Sequence, residues 1–205
     1  MSFLRTSTSF TRFKLTEPAP STLWNEVTDR LRKYSITDID ELPEERAYGW
    51  TAFEDFLDTT FVTHPVEKGV YLTFSLRLDT RRVPPAVIKK YLAISLKKEE
   101  AINQEQGKKS IARDRKKELR EQVMLKLRMR FLPIPAEFQV IWNTATGIVF
   151  FSSTQGKMID LFQEQFSKTF ELDLEPITPY ELAASMMSDT AALDTLDTLE
   201  PTTFA

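Results

Sequence analysis

No cysteine occurs anywhere in the 205-residue chain. Disulfide staples, thiolate metal sites and cysteine nucleophiles are thereby excluded, and a reducing cytoplasm is the expected setting. No apolar run approaches the ~20 residues that a membrane span needs. The opening Met1-Ser2-Phe3-Leu4-Arg5-Thr6 has neither an apolar core nor a small-residue cleavage site, so no signal peptide is expected. Histidine is present once, as His64 beside Pro65. A metal site would therefore be all carboxylate, and a lone loop histidine reads as a surface residue rather than a catalytic base. No Gly-rich loop precedes a helix, which removes a Walker or dinucleotide phosphate cradle. A Gly-x-Ser-x-Gly elbow is also missing. Together these absences point to a non-enzymatic protein without a cofactor.

Phenylalanine is abundant, with 15 residues in a chain that is 41% hydrophobic, so a packed core is expected. The net charge of −3 argues by itself against a polyanionic partner. Its distribution argues the other way. Between Arg77 and Arg130 there are 17 Lys/Arg against 7 Asp/Glu, a net of +10, and the remainder of the chain carries −13. Such segregation suits an anionic partner for one segment, although a solvated helix pair balanced by acidic neighbours would carry the same composition.

The periodicities predict an α+β fold of antiparallel strands and amphipathic helices, in the order β-α-β-β and then α-α-β-β-α. An opening strand over Leu4–Leu15 ends at Pro18 and Pro20. Ser21 can cap a helix carrying Leu23, Trp24, Val27, Leu31 and Tyr34 on one face. Tyr48–Phe53 and Val70–Leu78 read as strands. After Pro84 and Pro85, Ile88, Tyr91, Leu92, Ser95 and Leu96 predict a helix that breaks near Gln106-Gly107. A second helix, predicted over 108–131, would be roughly 36 Å long. Glu137–Asn143 and Ile148–Ser153 form a hairpin around Gly147, followed by an amphipathic helix with Met158, Leu161, Phe162, Gln165, Phe166 and Phe170. A short helix is expected over Pro179–Met187. Four segments follow: 1–83, an N-terminal β-α-β-β half; 84–132, a long basic helical segment; 133–187, hairpin and helix; and 188–205, a Thr- and Asp-rich acidic tail expected to be disordered.

Lys109, Arg113, Lys116, Lys117 and Arg120 have the spacing of one helical face. Lys89, Lys90, Lys97 and Lys98 decorate the preceding helix, Arg77, Arg81 and Arg82 sit at the entry, and Arg128 and Arg130 extend the run. Cations so arranged would neutralise phosphates and release counterions, which gives affinity for DNA backbone without reading bases. No aromatic interrupts the 109–120 stripe, so base stacking is not evident there. Asp114, Glu118 and Glu121 could instead pair with these bases on an ordinary solvated helix. Acidic pairs at Glu44/Glu45, Asp55/Asp58 and Asp38/Asp40 read as loop residues rather than as Mg²⁺ ligands.

Four stretches resemble the bacterial recombination-associated RdgC family. They are Tyr48-Gly49-Trp50; Pro85-Ala86-Val87-Ile88-Lys89; the Lys/Arg/Glu-rich run 97–122; and Trp142-Asn143-Thr144-Ala145-Thr146-Gly147-Ile148-Val149, which leads to an amphipathic helix and Pro176-Ile177-Thr178-Pro179. The resemblance covers about residues 1–182. It implies non-specific DNA binding, homodimerisation, and control of recombinase or nuclease access in the nucleoid. The family's Pro-Arg-Ala-Phe element is replaced here by Arg128-Met129-Arg130-Phe131-Leu132-Pro133, and the chain reads as a short form without the family's C-terminal region. The leading expectation is a cytoplasmic, nucleoid-associated DNA-binding protein. A protein-interaction module or nuclease inhibitor is the second reading, and a metal-dependent nuclease the third.

Overall fold

The computed structural model describes residues 3, 7–107, 110–187 and 189–199. The described residues form an α+β fold with six helices and a seven-stranded antiparallel sheet. The strands are β1 (Thr11–Leu15), β2 (Arg46–Ala52), β3 (Glu67–Lys68), β4 (Tyr71–Thr80), β5 (Ile134–Asn143), β6 (Ile148–Phe151) and β7 (Leu174–Pro176). The helices are α1 (Leu23–Lys33), α2 (Pro85–Glu105), α3 (Arg113–Arg128), α4 (Gly156–Phe170), α5 (Pro179–Met186) and α6 (Thr190–Asp197). The sheet runs β2-β4-β5-β6-β1-β7, with β3 beside β4. Among the described residues no helix is long and apolar enough to cross a membrane.

Two compact units divide the chain. The first gathers residues 1–30, 65–74 and 138–205. Its core follows from strand register. Phe13 of β1 lies opposite Val149 of β6, which lies opposite Trp142 of β5, so three apolar side chains form a row across three strands. All three are fully buried. The hairpin that sets this register turns at Gly147, where φ is +70° and a side chain would be strained. Asn143 Oδ1 accepts the amides of Ala145 and Thr146 inside the same turn. Helix α4 lays Phe162, Phe166 and Phe170, one turn apart, on the row. Phe151 and Phe162 stack at 4.2 Å, and Trp142 meets Phe166 and Phe170 at 5.2 and 5.3 Å.

The second unit holds residues 31–64 and 75–137. Gly49 of β2 passes so close to the chain at Ile36 that an added Cβ would lie 2.3 Å from the Ile36 nitrogen. That approach lets Ile36 donate its amide to the Trp50 carbonyl at 3.3 Å, while Trp50 donates to the Tyr34 carbonyl at 3.1 Å. The indole of Trp50 is buried. The acidic stretch before β2, read as a loop, is held by a buried arginine. Arg81, 3% exposed, donates from its guanidinium to the carbonyls of Ile39, Asp40, Leu42 and Glu44.

Several boundaries differ from the sequence reading. The first strand begins at Thr11; residues 4–6 of its expected span lie outside the described residues. Helix α3 begins at Arg113, because Ala112 is extended (ψ 150°) and Ile111 is buried ahead of it. It is therefore about 24 Å long rather than 36 Å. Where disorder was expected, Thr190–Asp197 is helical. Asp189 caps it by accepting the Ala191 amide, and its start follows from that cap. Residues 188 and 200–205 of the expected tail lie outside the described residues. The two units draw on separated stretches and so cut across the four contiguous segments, since antiparallel pairing joins residues far apart in sequence.

Candidate nucleic-acid interface

The basic residues fall on an antiparallel helix pair within the second unit. Pro85 sits in the first turn of α2, where its missing amide costs no hydrogen bond. The helix runs 21 residues, about 32 Å, and buries none of its side chains completely. Gly107, with φ +71°, reverses the chain after it. Helix α3 returns along α2 and buries Leu119, Val123 and Leu127, each one turn from the next. Spacing of this kind leaves the remaining faces of both helices to solvent.

Arg115, which was not among the sequence candidates, decides the electrostatics of the pair. Its guanidinium forks onto Glu99 of α2, with Nε to Oε1 at 2.8 Å and Nη2 to Oε2 at 3.0 Å. The remaining nitrogen, Nη1, reaches Glu118 Oε2 at 2.8 Å. The hydrogen bonds it donates to Glu99 first, then to Glu118, raise the pKa of this arginine further. Glu118, one of the acids expected to neutralise the stripe, is thus engaged by Arg115, and its other oxygen accepts from Gln122. The partner Glu99 is 16 positions away, so no local spacing signals it.

The expected site residues then separate into groups. Lys89, Lys90, Lys97, Lys98, Arg113, Lys116, Lys117 and Arg120 are exposed on α2 and α3, and among the described residues they make no ion pair. Arg82 and Arg130 are exposed as well. Arg128 is half-buried and paired with Glu45. Lys109 lies outside the described residues. Two candidates must be withdrawn. Arg81 is the buried clamp described above. Arg77 is largely buried, with Nε on Asp79 Oδ1 at 2.8 Å and its guanidinium 5.5 Å from the Phe56 ring centre. Asp79 already neutralises the charge of Arg77, and burial keeps Arg81 away from the surface where a phosphate would lie.

Between the helices lies a cleft of about 280 Å³. From α2 it is lined by Tyr91, Ile94, Ser95 and Lys98, which share one helical face. Leu119, Val123 and Leu127 of α3 are its floor, with Gln122 beside them. Lys126 and Arg130 complete the rim. Three cations and no carboxylate line it. The Tyr91 ring has the Arg130 guanidinium and the Lys90 ammonium each 5.9 Å from its centre, within cation–π range. Sequence reading placed Tyr91 only among the apolar positions of its helix. Tyr91 two turns before Lys98 on the same face was the available signal.

The acidic pairs serve the backbone. Asp55 Oδ1 accepts the Leu57 amide at 2.9 Å. Asp58 Oδ1 accepts the amides of Thr60 and Phe61 and the Thr60 hydroxyl, and its Oδ2 faces His64 Nδ1 at 3.3 Å. Burial would push the Asp58 carboxyl up, but the bonds from Thr60, His64 and Phe61 outweigh it and hold the pKa down at about 2. Among the described residues no three His, Asp or Glu side chains are grouped to hold a metal ion.

A comparison with curated protein sequences returns no match. Residues 9–196 match the sequence family described as "Putative exonuclease, RdgC", which spans nearly the whole chain and takes in every strand and α1–α5. The chain belongs to the RdgC family.

Proposed function

We propose that this protein binds DNA without sequence preference, through the exposed cations of α2 and α3, and limits the access of recombinases or nucleases to it. One observation carries the reading. Arg115 engages Glu99 and Glu118, and eight exposed lysines and arginines on the same two helices are left without an ion pair among the described residues. Unpaired cations along about 32 Å of helix suit a polyanion whose charges recur every ~1.7 Å along its axis. The reading includes no hydrolysis of DNA, because Asp55 and Asp58 hold their own loop and Glu45 holds Arg128. It also includes a homodimer. Leu125, Met129, Leu132 and Ile134 are each more than half exposed, an apolar strip suited to a second copy.

The test is a salt series. Replacing Arg113, Lys116, Lys117 and Arg120 together by Ala should weaken binding to all duplex sequences alike. Each lost phosphate contact should flatten the plot of log K against log salt by about 0.9. A slope identical to that of the unaltered protein would place the phosphate contacts elsewhere.

A further inference from the structure

The cleft between α2 and α3 has a chemistry that backbone neutralisation does not use. A phosphate needs cations at the surface, whereas this recess adds a half-buried aromatic ring and an apolar floor of Leu119, Val123 and Leu127. We infer that the cleft is a stacking site for an unpaired DNA base, with Tyr91 as its platform and Lys98, Lys126 and Arg130 on the flanking phosphates. The inference rests on the DNA-binding reading and adds a preference for single strands.

Size and chemistry agree on the occupant. At about 280 Å³ the recess falls just below the ~300–1,000 Å³ of sites for drug-sized ligands, so it suits one nucleoside rather than a larger molecule. A duplex keeps its bases stacked inside and could present only backbone here, whereas a single strand can splay a base out without breaking a pair. The flat face of a base matches the apolar floor, and Tyr91 and the Arg130 guanidinium are both planar groups on which bases stack. Charge complementarity fixes the rest. With three cations and no carboxylate around the opening, the phosphates on either side of the base meet only attraction from the lining. Ser95 and Gln122 provide hydrogen-bonding groups on the walls, and stacking tolerates any base.

The experiment compares a short fluorescein-labelled oligothymidylate with a labelled blunt duplex by fluorescence anisotropy, using the full chain. Tyr91→Leu keeps a good helix former and removes the platform. It should weaken oligothymidylate binding about 5- to 150-fold, the range for losing one base–aromatic stack, and leave duplex affinity and its salt slope unchanged. Tyr91→Phe retains the ring and should bind both DNAs as the unaltered protein does. Ser95→Leu, which fills the recess and leaves Tyr91 in place, should reproduce the selective loss. Normal oligothymidylate binding by Tyr91→Leu and Ser95→Leu would overturn the stacking site and leave the basic-helix reading standing. An equal loss on both DNAs would also overturn it, by showing that Tyr91 acts through the helix pair. So would polyglutamate that displaces the oligothymidylate equally well from the unaltered protein and from Tyr91→Leu, since the cleft would then be a general anion surface. Failure of the unaltered protein to bind either DNA would remove the underlying reading together with the site.

Discussion

Arg81 and Asp58 each hold a loop through one ionised side chain, and they respond differently to perturbation. Arg81 satisfies four carbonyls of the 39–44 segment from inside the second unit. Arg81→Met would leave several of them without a donor, at about 1–3 kcal/mol for each buried acceptor not reached by water. We expect a stability loss of about 2–6 kcal/mol in urea unfolding, with two acceptors stranded. The salt slope of DNA binding should not change if Arg81 has no phosphate role. Asp58 is a pH-dependent case. Its folded pKa of about 2 lies below the ordinary Asp value of about 3.9. The stabilisation is therefore full above about pH 4 and is lost as pH falls toward about 2. Asp58→Asn should unfold at lower urea than the unaltered protein at neutral pH, and the two midpoints should converge across that window. A gap independent of pH would mean that the loop uses the shape of the side chain and not its charge. Neither role could be read from the sequence. Arg81 stands in a basic run and looked like its neighbours, and only the fold shows that carbonyls 37 to 42 positions earlier converge on it.

Elements with a strong period were legible in advance; very short ones and those whose partners are distant were not. Helix α2 starts at the expected Pro85, and α4 presents Phe162, Phe166 and Phe170 as their spacing requires. Strands β3 and β7 have two and three residues, too few for any alternation to register, and exist because β4 and β1 offer them edges. The candidate site was half legible for the same reason. Exposed cations follow from helical spacing, but the Glu99–Arg115 fork and the cleft at Tyr91 need two helices to be brought together. Helix α6 shows how a local cap can override composition, because Asp189 and a Leu193/Leu196 pair suffice within a Thr-rich stretch. It meets α5 through a hydrogen bond from the Tyr180 hydroxyl to Asp197, and neither helix has a fully buried side chain among its described residues. Deleting residues 188–205 should therefore leave the melting temperature nearly unchanged. The deleted stretch carries acids and no base, so the shortened protein should bind DNA slightly more tightly at low salt, with the gain fading as salt screens it. Sedimentation of both forms gives the check. If the truncation converts a dimer into a monomer, the segment is an interface element and not a competitor for the basic helices.

For the molecule as a whole, charge is distributed more tellingly than it is summed. A net of −3 conceals a helix pair dense in cations, and the balancing acids lie mostly elsewhere in the chain. The family description contains the word exonuclease, and the non-catalytic reading can be tested directly against it. End-labelled linear DNA incubated with the purified protein and Mg²⁺ or Mn²⁺ should stay intact. Label release that a single substitution at Glu44, Glu45, Asp55 or Asp58 abolishes would make the protein a nuclease. The register of β1 has a consequence for synthesis on the ribosome. Among the described residues Thr11–Leu15 pairs only with β6, which begins at Ile148, and with β7, which begins at Leu174. The first strand emerges without either neighbour and waits for about 132 further residues, or roughly 7–26 s at 5–20 residues per second. Both its edges and Phe13 are open through that interval, the condition under which strands recruit wrong partners. The pace of translation through residues 16–147 thus sets how long a nascent chain carries an unpaired first strand.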